Sequence, residues 1–253
     1  MRSLSPRFLA GIAASVAALA CGGIPTFADG IAFISPIELP SLSIAVNDTL
    51  RDSLGNVAPL RVAAFDQNDR EIAGVAARFL VATVPAGVKI DANGIVTAFD
   101  SLRTVQIVGR IGDHLQTAAT NLEVVAQPNL IAGSGALDSL AVNTASSALQ
   151  VTVTGDRRGT RVPVNGIVVR YRIVSPALVD SSRIVFTEGQ RPDLTVSVDT
   201  TLATNPGVAS RSIIATDTRG LDSVVVEASA NDLKGKRLAG SPVRFRIRVK
   251  KGT

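Results

Sequence analysis

The sequence predicts an all-β protein, two tandem β-sandwich domains behind an export leader and a short tether. Three observations predict it. From Leu39 onward, short runs rich in Val, Ile and Thr alternate with Gly, Asn, Asp and Pro at intervals of ~8–12 residues, the spacing of sandwich strands. No long stretch carries an apolar stripe at the helical period. And the chain repeats itself: Ser43-Ile44-Ala45-Val46-Asn47 returns as Ser139-Leu140-Ala141-Val142-Asn143, and Gly74-Val75-Ala76-Ala77-Arg78-Phe79 returns as Gly166-Ile167-Val168-Val169-Arg170-Tyr171. Repetition of this kind marks one structural unit used twice. The 253 residues suffice for two domains of ~100 residues, each able to bury a core without disulfides.

Taken in order, residues 1–20 read as a signal peptide. Arg2 and Arg7 precede the apolar run Phe8 to Ala20, which is too short to span a bilayer as a permanent helix of ~20 apolar residues. Residues 21–38 read as Cys21 and a Gly- and Pro-containing tether. The first domain, 39–126, has predicted strands near 41–47, 58–65, 75–82, 94–99, 103–111 and 116–125. Residues 127–136, with Pro128, Gly133 and Gly135, read as a linker. The second domain, 137–253, has strands near 137–143, 148–154, 166–174, 183–187, 193–199, 207–216, 222–230 and 239–249. The repeat offset grows from 92 at Gly74/Gly166 to 113 at Gly94/Gly207, so this domain holds about 21 extra residues, placed near 175–201. Period-2 alternation points Leu60, Val62, Ala64, Val75, Ala77, Phe79 and Val81 inward, then Leu149, Val151, Val153, Ile167, Val169, Tyr171 and Ile173, with Val105, Ile107, Val224 and Val226.

Three phrases in the first unit carry a family resemblance: Val46-Asn47-Asp48-Thr49-Leu50, the stretch from Ala64 to Val75 around Asp66-Gln67-Asn68-Asp69, and Ile90-Asp91-Ala92-Asn93-Gly94-Ile95-Val96-Thr97-Ala98. Together they resemble a bacterial immunoglobulin-like domain of the group 2 type. The resemblance covers 39–126, and 137–250 in a more divergent form, and it implies Ig-like sandwiches of a surface protein. Where that family usually has Trp, this chain has Phe79. The residues themselves read as turns: Asn93-Gly94 as a hairpin-type turn and Asp66 to Asp69 as a polar one.

The single cysteine bears on address. Ala18-Leu19-Ala20-Cys21 resembles a bacterial lipobox, in which the cysteine is lipidated and becomes the first mature residue. One cysteine in an exported chain makes no intramolecular disulfide, whereas two acyl chains on Cys21 would anchor it stably. The expected location is therefore the cell envelope, membrane-anchored as a lipoprotein; cleavage after Ala28 and secretion is the alternative.

Catalytic constellations are missing. His114 is the sole histidine, in a predicted hairpin loop, and no nucleophile elbow accompanies it. A zinc site would need several His or Cys ligands. Asp66, Asn68, Asp69, Asp91 and Asn93 offer oxygens, but neither turn supplies the six to eight that calcium takes, and turn chemistry explains them. No cofactor and no metal is expected. With no Trp and one Tyr, the chain lacks the exposed aromatic platforms of many sugar sites.

The formal charge is +5, or +3 once Arg2 and Arg7 leave with the leader. Its one concentration is C-terminal: Arg244, Arg246 and Arg248 alternate with Val243, Phe245, Ile247 and Val249, followed by Lys250 and Lys251. Alternation sets the arginines on one strand face, either to guard a sheet edge or to meet an anionic partner. Nucleic acid is not expected, because no aromatic interleaving or known motif accompanies the charge. The expected function is a non-catalytic envelope module for structure, adhesion or protein interaction with an extracellular protein or glycan. The alternative is a binder of anionic envelope polymers or glycans through Arg244, Arg246, Arg248, Lys250 and Lys251.

Overall fold

The computed structural model describes residues 30–83, 87–99, 102–134, 139–176, 183–187, 196–202 and 204–250. The leader, Cys21, Lys251 and parts of the 175–201 stretch lie outside the described residues. The fold is all-β.

The N-terminal half holds β1 (Phe33–Ile34), β2 (Ser43–Ala45), β3 (Ala64–Phe65), β4 (Arg78–Val81), β5 (Val88–Ile90), β6 (Val96–Ala98), β7 (Arg103–Ile111), β8 (Leu115–Gln116) and β9 (Thr120–Val125). One sheet runs β2-β9-β7-β4, with β8 folding back on β7. β2 runs parallel to β9, and the other pairs are antiparallel. β7 is central because its sequence alternates: Val105 and Ile107 are fully buried while Thr104 and Gln106 face out. They meet Leu50, Val88, Val96 and Ala98, contributed from the β5–β6 hairpin and the segment beside it.

The C-terminal half holds β10 (Pro128–Ser134), β11 (Leu149–Arg157), β12 (Thr160–Pro163), β13 (Val168–Ser175), β14 (Ile184–Phe186), β15 (Val196–Thr200), β16 (Val208–Arg211), β17 (Ile213–Ala215), β18 (Ser223–Ala230) and β19 (Val243–Arg248). An antiparallel sheet of order β15-β13-β18-β19 packs on a second layer of β10-β11-β12, with β16 also on β11, and the β14–β17 pair. Leu149, Val151 and Val153 pack with Val169, Tyr171, Ile173, Val224 and Val226 in one buried hydrophobic core. Tyr171 is fully buried, its ring edge-on to Phe186 at 6.4 Å.

The repeat is spatial as well as sequential. Phe79 sits opposite Gly109 between β4 and β7, and Tyr171 sits opposite Ala228 between β13 and β18. Leu60 donates its N–H to the Gly94 carbonyl as Val153 does to Gly207. The expected inward positions hold in the second half; in the first, Val62, Val75, Ala77, Phe79 and Val81 are only half-buried.

One expectation needs correcting. The stretch 127–136, read as a linker, contains β10, which pairs with β11 along Leu130 to Ser134. Its glycine serves packing rather than flexibility: a Cβ on Gly133 would lie 2.9 Å from Val243 Cγ1. The stretch 175–201, expected to hold the extra residues of the second half, includes β14 and β15 among its described residues. Between β14 and β17 the second half adds β15 and β16, where the first half has the short β5–β6 turn 91–95. Smaller differences follow the same physics. Residues 58–65 form a strand only at Ala64–Phe65, held otherwise by isolated bridges such as Glu38 to Arg61. Near 137–143, Leu140 and Val142 make single parallel bridges to Val249 and Ala215.

Candidate functional site

Side chains on the β15-β13-β18-β19 sheet alternate strictly, so one face is core and the other is solvent. The outward set on β19 is Arg244, Arg246 and Arg248, all exposed, with exposed Lys250 just beyond. β13 sends out Val168, Arg170, Arg172 and Val174, again exposed. Between them β18 contributes Ser223, Val225, Glu227 and Ser229, each half-exposed.

Register places these residues. Arg172, Glu227 and Arg244 lie opposite one another across three strands, with Arg170 beside Ser229, Arg246 beside Val225 and Arg248 beside Ser223. With strands ~4.8 Å apart and same-face neighbours ~7 Å apart along a strand, the arginines form two rows ~10 Å from each other. Glu227 is the one acid among the outward residues of β13, β18 and β19, and its Oε1 accepts from Arg244 Nε at 2.8 Å. Arg246 Nε reaches Ser223 Oγ at 3.4 Å. The sequence reading found the β19 row and missed the β13 row. The signal was there in Arg170-Tyr171-Arg172, but which strands are neighbours is not written locally.

One end of this face runs into a cleft of about 440 Å³ between the two halves, lined by Ser53, Leu54, Arg170, Ser229, Asn231 and Arg237 among others. The halves meet closely there. Ser43 Oγ donates to the Gly166 carbonyl at 3.4 Å, and Lys234 Nζ stands 3.3 Å from Asp48 Oδ2.

The acidic turns are spoken for. Asp52, Asp66, Asp91 and Asp232 each open the same loop, with Oδ1 accepting the N–H groups two and four residues on. The third residue on, Gly55, Asp69, Gly94 or Gly235, takes a positive φ. Those backbone donors hold the Asp52 and Asp66 carboxyls below the usual range. Among the described residues no group of three or more His, Cys, Asp and Glu could hold a metal ion. His114 lies exposed in the β7–β8 turn. A loop cavity of about 780 Å³ is lined by Val142 and Thr216 to Asp222. There Arg219, and then Arg183, hold the Asp217 carboxyl at about 2, so it is ionised near neutrality. Burial pushes the Tyr171 hydroxyl far up, and it remains neutral.

No protein-family model matches the chain, and no curated protein matches it. Several solved structures are similar to it. The Yersinia pseudotuberculosis adhesin InvE matches over 89% of this chain and 62% of its own, at 14% identity and a TM-score of 0.34. The S-layer protein rSbsC(31-844) matches over 88% of this chain and 29% of its own, at 16% identity and a TM-score of 0.34. The E. coli alpha-2-macroglobulin matches over 90% of this chain and 15% of its own, at 12% identity and a TM-score of 0.33. The chain thus spans less than two thirds of each of these proteins.

Proposed function

We propose that the chain is a non-catalytic Ig-like module of the bacterial cell envelope, exported by residues 1–20 and held at a membrane through lipidated Cys21. In this reading its two sandwich domains present a surface for structural or adhesive contact with an extracellular protein or glycan. The observation that carries it is the outward face of the β15-β13-β18-β19 sheet, an open surface with five arginines against one glutamate. The other described carboxylates with resolved shifts serve turns and ion pairs rather than a reaction centre. The leader and the lipobox-like Ala18-Leu19-Ala20-Cys21 support the address.

Intact mass tests the anchor. Expressed in a Gram-negative host, the full chain is expected in the membrane fraction, starting at Cys21 with added acyl mass, and Cys21→Ser is expected to abolish that species. A released, unmodified chain starting at Asp29 would overturn the anchor and make the module a secreted one.

A further inference from the structure

We propose that the two arginine rows on β13 and β19 form a binding surface for an anionic polysaccharide, laid across the sheet with one end in the cleft between the halves. The inference rests on the reading of the chain as a contact module and names the partner's chemistry.

Edge protection does not explain this face. A cationic edge strand discourages pairing with another chain, and β19 is an edge. But β13 is flanked by β15 on one side and β18 on the other, so Arg170 and Arg172 guard nothing. Nor do they neutralise local acids. Glu227 is taken by Arg244, and among the described residues Arg170, Arg172 and Arg248 have no ion-pair partner. Three guanidiniums unpaired among the described residues on an exposed face concentrate positive potential and favour carboxylate, sulfate or phosphate oxygens, which they bind in a two-pronged way.

The shape and the company of these arginines select the class of anion. The face is the exposed side of a sheet, which suits a chain lying across it better than a small molecule that needs enclosure. Its apolar members are valines: Val168 and Val174 on β13, Val225 on β18, Val198 on β15. Among the described residues no aromatic side chain stands on it, so these offer none of the anchors that dominate protein interfaces, the rings that stack single-stranded bases or the wedges that enter a bilayer. The adjoining cleft adds hydroxyl and amide groups on Ser53, Ser229 and Asn231 and a further guanidinium on Arg237, beside the Asp52 and Asp232 carboxylates, which accept the N–H groups of their own turns.

The test uses the full chain as purified from the expressing host, with polygalacturonate as probe and neutral dextran as blank. Binding to polygalacturonate is expected, weakening roughly tenfold between ~50 and ~200 mM salt as counterions compete, by analogy with other polyanions. Arg170→Gln/Arg172→Gln and Arg244→Gln/Arg246→Gln/Arg248→Gln are each expected to lose about tenfold or more. The charge-matched set Arg70→Gln/Lys89→Gln/Arg161→Gln, exposed elsewhere, is expected to lose less than about threefold. Glu227→Gln, which removes the face's one acid, is expected to tighten binding. Unchanged melting curves certify that the variants fold. Equal loss from the charge-matched set would overturn the proposal in favour of net charge. An unaffected Arg170→Gln/Arg172→Gln would reduce β19 to an edge guard. Preference for anionic lipid vesicles or duplex DNA over polygalacturonate would overturn the polysaccharide assignment. None of these outcomes depends on acylation of Cys21, so failure here is separable from failure of the envelope address.

Discussion

The two halves of the molecule share an inner plan and differ on the outside. β4 and β7 in the first correspond to β13 and β18 in the second, and β9 corresponds to β19. Inward residues keep their type: Val105 and Ile107 match Val224 and Val226. The outward residues do not. In the first half Arg78 faces Arg110 beside Leu80, Glu123 accepts from Thr104 at 2.6 Å, and Arg110 is engaged by Gln116 at 2.8 Å. In the second half the equivalent surface carries the two arginine rows, and an added strand, β15, covers the β13 edge that β4 leaves without a neighbour among the described residues. Packing constrains the inner face of each copy, and what separates the copies is concentrated where packing imposes no demand.

The comparison predicts unequal cores at equivalent positions. Tyr171 is fully buried, whereas Phe79 is half-buried. Tyr171→Ala is expected to cost about 3–5 kcal/mol, in the range of large aromatic truncations, and Phe79→Ala about 2 kcal/mol for its smaller transfer term. Urea unfolding of the full chain measures both, and equal losses would break the contrast.

A second contrast concerns how the halves meet. Gly55 has φ +87°, and a Cβ there would overlap the Lys234 carbonyl of the other half. Gly74 has φ +78° with open space around it. Gly74→Ala should show only the left-handed strain of roughly 1–2 kcal/mol. Gly55→Ala adds a clash and should also part the halves, raising the radius of gyration in X-ray scattering. If both variants scatter like the parent, the close approach at Gly55 is not what holds the halves together.

The sequence was legible where a strand has one dry face. β7 was readable because Val105 and Ile107 alternate with Thr104 and Gln106 in its first half, before the buried run Ile107-Val108-Gly109. It was illegible where a residue's meaning depends on a distant strand. Gly133 reads as a linker glycine until β19 is placed against it. The candidate surface shows the same limit. Arg244, Arg246 and Arg248 announce themselves along one strand, but Arg170 and Arg172 join them only through β18, a long-range pairing no local pattern encodes.

The finest difference between the repeats is a single position. Asp48 in the first half corresponds to Thr144 in the second, one residue past the matched Asn47 and Asn143. Burial raises the Asp48 carboxyl, but the Thr49 N–H, Arg51 and Lys234 together outweigh it and hold the group below its ordinary 3.8. Lys234 belongs to the other half, so this carboxylate ties the halves together, whereas Thr144 only turns back to the Val142 carbonyl. A carboxyl whose folded value is depressed stabilises fully above its unfolded value and loses that contribution as pH falls through the folded one. Lys234 is half-exposed, so the contribution belongs with surface ion pairs, a few tenths to about 1 kcal/mol. Asp48→Asn is therefore expected to lower stability by that amount at pH 6. The gap should close below pH 3.8, while Thr144→Val shows no such pH dependence. Thermal unfolding between acid and neutral pH measures it. A gap that persists at low pH would mean Asp48 acts through its turn rather than through the contact between the halves.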